Sequence, residues 1–355
     1  ALDAGIAVED LTYLDGTVVK VKSLDSVYDA VELPSFEQVK EQKETYARSF
    51  YTQYQNTDPF RGQRLVEPYS PHLYVVQNPP AKPLSTMEMD DIYALPYMRT
   101  WHPSYEKDGG VPAVEEIKFS LTSNRGCFGG CAFCTISAHQ GKFIASRSEQ
   151  SIMREVEHVC EMPDFKGTIS DLGGPSANMY SMRGKDSGIC EQCKRPSCLH
   201  PAVCKNLNTD HSRLLALYSK VRKVPAVKHC FVGSGIRYDL IMHRTGDRKI
   251  DTANREYLEA VIKHHVSGRF KVAPEHSSDN VLHLMRKPSF KLFRELTARF
   301  NAINQKEHLK QQIIPYFISS HPGCSLSDMA ELAIDTKELD FRLEQVQDFT
   351  PTPMT

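Results

Sequence analysis

The chain has 355 residues, with 43 Lys plus Arg against 44 Asp plus Glu and a formal charge of −1. Hydrophobic residues make up 40% and charged residues 25%, ordinary globular values that argue against disorder, collagen and coiled-coil architectures. The near-neutral balance supplies no general field for a phosphate backbone, and no apolar run approaches the roughly 18–20 residues that span a bilayer.

The start, Ala-Leu-Asp-Ala-Gly, carries no basic segment followed by an apolar stretch, so no secretory signal is visible. The chain opens on Ala rather than Met and stops at Thr-Pro-Met-Thr after an apparent strand, so it reads as an excised portion of a longer protein. Its length predicts one large domain or two smaller ones.

Leu11–Val21 alternates as a strand does around an Asp15–Gly16 turn. Ser35–Gln53 opens on a Ser-x-x-Gln capping box and reads as a helix. Residues 55–104 are rich in proline with few periodic runs, which predicts an extended, wrapping segment. Asp108-Gly-Gly-Val-Pro112 reads as a boundary, giving an amino-terminal accessory α+β segment over 1–110 and a main domain over 111–355.

Beyond that boundary the pattern becomes regular. Strands are predicted at Glu116–Thr122, Gly167–Leu172, Lys228–Gly233, Arg269–Ala273, Gln312–Ser319 and Leu343–Phe349. Helices are predicted at Ser148–Glu161, His211–Val221, Asn254–His265, Ser278–Met285, Ser289–Asn304 and Ser325–Leu339. Strict alternation implies parallel strands with crossover helices, and right-handed crossovers curl such a sheet toward a barrel. Six units predict an α/β partial (β/α)6 TIM-like barrel with a Cys-rich insertion over 175–209. In such barrels chemistry sits at the carboxyl ends of the strands. The first cysteine group, Gly173–Gly174, Ser234–Arg237, Glu275 and His321–Gly323 all follow predicted strand ends.

Of the ten cysteines, Cys127, Cys131 and Cys134 form C-x3-C-x2-C, and Cys190, Cys193, Cys198 and Cys204 form C-x2-C-x4-C-x5-C. Two local groups in a long chain read as soft-metal ligation in a reducing compartment, so a cytoplasmic location is expected. Three thiolates can hold three irons of a four-iron cluster, which leaves one iron open to a small molecule. Zinc completed by His139 is the rival for that loop. By ligand count the second group fits tetrahedral zinc or an auxiliary iron–sulfur cluster, with His200 and His211 as substitutes for one cysteine. Either metal would staple an insertion that has little core of its own.

Cys127, Cys131 and Cys134 resemble the signature of radical S-adenosylmethionine (SAM) enzymes. The stretch from Ser120 to Ser137 around them is similar to the narrower YgiQ-like group. So are the stretches from Ser170 to Tyr180, Gly233 to Asp239 and Val346 to Pro353. The resemblance covers essentially the whole chain and implies a partial barrel with an amino-terminal region that closes over it. It implies a [4Fe–4S] cluster on the three cysteines and SAM chelated to the open iron. One-electron reduction would then give methionine and a 5′-deoxyadenosyl radical that acts on an unidentified substrate. An electron donor such as flavodoxin or ferredoxin is implied as well.

The resemblance also implies cofactor contacts. Phe133 precedes the third cysteine, where an aromatic lies near the adenine, although a packing aromatic is an equal reading. Gly173 and Gly174 stand where relatives carry Gly-Gly-Glu for the cofactor's amino group. Here Pro175 replaces the glutamate and leaves only backbone carbonyls. Ser234 and Arg237 follow the third strand. Arg237 suits the cofactor's carboxylate, or a salt bridge with Asp239. Glu275 is placed to meet a ribose hydroxyl or an ammonium group. His276 reads as a cap, a core residue or a substrate contact. The role of His321 is open, and at Cys324, which follows the His-Pro-Gly turn at the rim, a substrate-facing thiol is the minor reading.

Two other readings compete. A non-catalytic iron–sulfur electron-transfer protein accounts for the cysteines but not for the charged and glycine residues at several strand ends. A zinc-stapled RNA-binding module is opposed by the neutral charge and the lack of an aromatic-basic stripe. No Asp-x-His-x-x-Gly stretch that would point to cobalamin is present.

Overall fold

A computed structural model describes residues 4–341 and 345–355. Its contacts divide the chain into two compact units. The first holds the residues up to Pro83 together with Asp186–Lys194 and Met354; the second holds Leu84–Lys185, Arg195–Pro353 and Thr355.

The first unit is built on a four-stranded sheet. It contains β1 (Val18–Val21), β2 (Ala30–Glu32), α1 (Phe36–Glu41), α2 (Lys43–Gln55), β3 (Arg64–Ser70) and β4 (Leu73–Gln77), with sheet order β1-β4-β3-β2. β4 runs antiparallel to both its neighbours, and β2 runs parallel to β3. The Ser35–Gln38 capping box is present, but the predicted long helix breaks at Gln42, whose backbone is extended. The expected extended wrap over 55–104 is corrected. Leu65, Val66 and Val76 are buried in a hairpin there, and Pro68 is accommodated by a register shift.

The second unit opens with α3 (Thr86–Tyr93), started by a Ser85–Glu88 capping box. α4 (Ala113–Ile117) takes the first two residues of the predicted first strand, and β5 (Ser120–Thr122) keeps its last three. β6 (Asn124–Arg125) and β7 (Ala145–Ser146) pair antiparallel and bracket a loop that holds the first cysteine group and α5 (Ile136–His139). Then follow α6 (Glu149–Cys160), capped by Ser148, and β8 (Thr168–Ile169) and β9 (Asp171–Gly173). α7 (Ser187–Glu191) belongs to the first unit. The second unit continues with α8 (Ser212–Arg222), β10 (His229–Cys230), α9 (Tyr238–Met242), α10 (Arg248–His264), β11 (Arg269–Glu275), α11 (Asp279–Met285), α12 (Phe290–Lys306), β12 (Gln312–Ser319), α13 (Leu326–Glu338) and β13 (Gln345–Asp348). Of the predicted last strand, Leu343 and Glu344 lie outside the described residues.

The expected α/β alternation holds, and every ladder among these alternating strands is parallel: β5 with β9, β8 with β10, and β11-β12-β13. The continuous six-stranded partial barrel does not appear; among the described residues the strands form separate open sheets, and no ladder joins β10 to β11. The reason is local. After Cys230 the Val232 N–H donates to the His265 carbonyl, and the Gly233 N–H donates to the Asp171 carboxylate. These backbone donors are spent on a loop and a side chain rather than on a strand.

The core of this unit lies between the strands and the apolar faces of α6, α8, α10 and α12. Ile152 and Val156, Leu217 and Tyr218, Val261 and Ile262, and Phe293 and Leu296 pack there against Ile169, Leu172, Phe270 and Phe317. Among the described residues no helix is long and apolar enough to cross a membrane.

Candidate functional site

The first cysteine loop begins where β6 ends. Gly126 has φ +87°, and a Cβ there would stand 2.3 Å from the Phe143 carbonyl oxygen, so only glycine fits. The loop backbone is then pinned in turn. The Cys127 N–H donates to the Gly141 carbonyl at 3.0 Å, and Ser137 Oγ donates to the Cys127 carbonyl at 2.7 Å. Ser197 Oγ donates to the Gly129 carbonyl at 2.6 Å, Arg286 Nη1 to the Gly130 carbonyl at 3.1 Å, and the Ala132 N–H to the Met285 carbonyl at 3.1 Å.

Two donors address sulfur directly: the Gly129 N–H to Cys127 Sγ at 3.4 Å, and Arg237 Nη1 to Cys131 Sγ at 3.1 Å. Burial pushes the Cys127 thiol up to about 11 against the pull of Arg237, and it raises the Cys134 thiol as well.

Among the described residues none of the ten cysteines is in a disulfide, and no three His, Cys, Asp or Glu side chains converge on a single ion. A four-iron cluster needs no such convergence, because each thiolate binds its own iron. The donor set fits a cluster: three thiols on one pinned loop, with N–H groups already directed at two of the sulfurs.

Phe133, between the second and third cysteines, lines a cavity of about 680 Å³ with Glu275, Tyr316, Asp348 and Phe349 at the ends of β11, β12 and β13. Glu275 sits at φ +72°, rare for a residue with a side chain, and faces Lys287 Nζ across 3.6 Å. Lys287 Nζ also donates to the Ala273 carbonyl at 2.6 Å. Burial pushes the Glu275 carboxyl up, and Lys287 opposes it.

His321 is buried. It meets Phe133 and Phe349 edge-on, with ring centroids 6.4 and 5.1 Å away, so it buttresses two walls of the cavity. His276 is fully buried, accepts the Ser278 N–H at Nδ1 and stands 3.5 Å from Cys324 Sγ through Nε2.

The second strand end is occupied by packing. The Gly173 carbonyl already accepts the Ser123 N–H at 2.7 Å and Ser123 Oγ at 2.9 Å. A Cβ on Gly173 would meet Ser234 Oγ at 2.5 Å, and one on Gly174 would meet the Asn124 carbonyl at 2.9 Å. Ser234 Oγ donates to the Asp171 carboxylate, which also accepts the Ser234 N–H at 3.1 Å. Pro175 is half-buried beside them. Asp171 thus ties the Gly233–Ser234 segment to the end of β9, where Gly173 leaves room for the Ser234 side chain.

Arg237 makes the salt bridge. Its Nε lies 3.0 Å from Asp239 Oδ1 and its Nη2 is 2.5 Å from Oδ2, both side chains nearly buried. Sequence reasoning missed the residue behind it. Asn178 accepts the Arg237 N–H at 2.8 Å and donates to the Arg237 carbonyl at 2.9 Å. Asn178 Nδ2 also lies 3.0 Å from His211 Nε2, and His211 Nδ1 lies 2.7 Å from Asn254 Oδ1. Both ring nitrogens of His211 are therefore engaged inside the core, where burial lowers its pKa to about 4, and it does not stand in for a cysteine. The only hint in sequence was Asn178 inside the stretch from Ser170 to Tyr180.

The second cysteine group divides. Cys190 and Cys193 belong to the first unit, where the Cys193 N–H donates to the Cys190 carbonyl and Arg61 Nη2 donates to the Cys193 carbonyl at 2.9 Å. Cys198 and Cys204 belong to the second unit and pack on an apolar cluster of Phe128, Met179, Met182, Leu199, Leu207 and Leu240. His200 stacks edge-on against His283 at 4.9 Å.

Comparison with known proteins adds relatives. The family described as radical SAM N-terminal matches residues 1–120. A UPF0313 protein of Bacteroides thetaiotaomicron is 52% identical over all of this chain and 58% of its own length. One from Porphyromonas gingivalis is 56% identical over 90% of this chain and 50% of its own length, and one from Methanocella arvoryzae is 48% identical over all of this chain and 57% of its own. The chain thus spans about half the length of the curated relatives it matches. Among solved structures, the cobalamin-dependent S-adenosylmethionine radical enzyme OxsB overlaps 83% of this chain and 34% of its own, at 11% identity and a TM-score of 0.47. A likeness that loose carries no argument about cofactor or reaction.

Proposed function

The chain belongs to the radical SAM family, and from that premise we propose that it is the cluster-binding part of an enzyme that cleaves SAM reductively and turns the resulting radical on a substrate. Cys127, Cys131 and Cys134 would hold a [4Fe–4S] cluster, and SAM would lie in the cavity lined by Phe133 and Glu275. When bound, the cluster supplies one electron to the sulfonium of SAM.

The chain's own residues do the rest. Phe133 and Phe349 offer apolar faces to a planar base, and His321 fixes both rings from behind. Glu275 offers a carboxylate to a ribose hydroxyl or an ammonium group. Its tie to Lys287 keeps that carboxylate oriented at the end of β11. Gly173, Ser234 and Asp171 hold adjacent strand ends together, and the direct cofactor contacts are assigned to the cavity instead. The electron would come from a small carrier such as flavodoxin or ferredoxin, and the substrate belongs to the full-length protein.

The single observation that carries this reading is the pinned three-thiol loop whose Phe133 lines a cavity shared with Glu275. An electron carrier needs the thiols but not that cavity. Anaerobically reconstituted protein, given a strong reductant and SAM, should release 5′-deoxyadenosine and methionine. A cluster-loaded protein that never does so would be an electron carrier, and the proposal would fall.

A further inference from the structure

Arg237 is over-determined in a way that SAM binding does not require. Its fork is committed to Asp239 through Nε and Nη2, within a nearly buried ion pair. That commitment turns Nη1 onto Cys131 Sγ at 3.1 Å. The approach depends on Gly129, where a Cβ would stand 2.9 Å from Nη1 and 3.2 Å from Cys127 Sγ. The backbone beneath is clamped on both sides by one side chain: Asn178 binds the N–H and the carbonyl of Arg237. Asn178 is itself fully buried and braced by His211, which Asn254 fixes in turn. Four elements of the unit thus cooperate to hold one guanidinium hydrogen against one sulfur.

We propose that Arg237 tunes the reduction potential of the cluster through its hydrogen bond to the Cys131 sulfur, and that Asn178 is the positioning residue that holds it there. The inference rests on the reading that Cys131 ligates a cluster, and it reassigns Arg237 away from the cofactor's carboxylate. The physical basis is charge. Reduction adds one electron, and the reduced cluster places more negative charge on its thiolate sulfurs. A hydrogen-bond donor at that sulfur stabilises the reduced form more than the oxidised form and raises the potential. Asp239 offsets the formal charge of the guanidinium, so the directed N–H···S contact carries the effect. A raised potential brings the cluster closer to the reach of a physiological donor.

The test is a redox titration of the loaded cluster followed by its paramagnetic resonance signal, with iron content and SAM affinity measured on the same samples. Arg237→Gln is expected to keep its iron, shift the midpoint to more negative potential and bind SAM as the wild type does. Arg237→Lys, which keeps a donor but loses the fork, is expected to recover part of the shift. Asn178→Ala is expected to shift the midpoint in the same direction by less.

An unmoved midpoint in Arg237→Gln with a full complement of iron overturns the proposal. So does weakened SAM binding at an unchanged midpoint, which would return Arg237 to the cofactor's carboxylate. Because Arg237→Gln leaves Asp239 unpaired in the interior, it is open to misfolding. Gly129→Ala then carries the test, since it pushes Nη1 off the sulfur without altering any charge, and an unmoved midpoint there is equally decisive. Wild-type protein that takes up no iron–sulfur cluster at all defeats the functional reading, and this inference with it.

Discussion

The two cysteine groups of this chain invite comparison because their sequence spacings look equally suited to metal. The first lies in a single loop of one unit, and neighbouring segments fix its backbone at Cys127, Gly129, Gly130 and Ala132. Donors already address two of its sulfurs. The second is shared out: Cys190 and Cys193 fall in one compact unit, while Cys198 and Cys204 fall in the other and pack against apolar side chains. Spacing reports how many thiols are near in sequence. The backbone of the second group is fixed too, with the Cys198 N–H on the Phe128 carbonyl and the Cys204 N–H on the Cys198 carbonyl; in the first group two donors are directed at the sulfurs themselves.

The largest test of this contrast removes the thiols of the first group one at a time. Cys127→Ala, Cys131→Ala and Cys134→Ala should each abolish the iron–sulfur absorbance and with it the release of 5′-deoxyadenosine, because a cluster short of one ligand is not retained. Retained cleavage in all three variants would contradict the assignment.

A second test concerns two buried histidines of the same unit, His211 behind Arg237 and His265 beside Cys230. His211 and His265 are both neutral in the core, where burial lowers each pKa to about 4 from the usual 6.5. Between those values the unfolded chain binds protons that the folded chain does not. Their contribution is thus intact above about pH 6.5 and is lost as pH falls toward 4. Denaturant unfolding of the apoprotein should therefore show stability dropping by roughly 2–3 kcal/mol per histidine over that window. His211→Gln should flatten about half of the slope; an equally steep slope in that variant would place the acid sensitivity elsewhere.

The glycines of the first loop give a smaller but sharper effect. Gly130 has φ +59°, and a Cβ there would stand 2.2 Å from the Pro196 carbonyl oxygen. Gly130→Ala should cost upward of about 2 kcal/mol, from the left-handed backbone and the clash together. Gly188→Ala, beside the second group, would bring its Cβ to 3.3 Å from a flexible Asp186 carboxylate and no nearer to anything else, and should change melting by far less. Thermal denaturation of the two variants compares the groups directly.

What was legible in the sequence was local chemistry. The caps at Ser35, Ser148 and Ser325 start helices in the structure, and β12 spans the predicted residues. The three-thiol motif named its own loop. The illegible parts depended on partners far along the chain. Arg237 lies 106 residues from Cys131, so its contact with that sulfur could not be read from either segment. Asn178 is polar in a buried stretch, and its use became clear only once Arg237 and His211 were seen on either side of it. The hairpin of β3 and β4 was hidden by Pro68, because proline argues against a strand unless an irregular register takes it in. The open sheets also escaped prediction, since alternation fixes the direction of strands but not whether each finds a neighbour.

The smallest effect separates packing from ligation at the second group. Cys204 sits beside the apolar cluster of Phe128, Leu199 and Leu207, and its N–H donates to the Cys198 carbonyl at 2.7 Å, a bond that a side-chain substitution leaves in place. Cys204→Ala should therefore cost about 1 kcal/mol, the loss of one partly buried sulfur from a small cluster. It should leave the iron bound at Cys127, Cys131 and Cys134 unchanged, because the Phe128 carbonyl is held by the Cys198 N–H and not by Cys204. Metal analysis before and after the substitution reads the difference. If a separate equivalent of zinc or iron disappears with Cys204 while the first group keeps its own, then the second group ligates metal, and the contrast between the two would be one of fold placement rather than of chemistry.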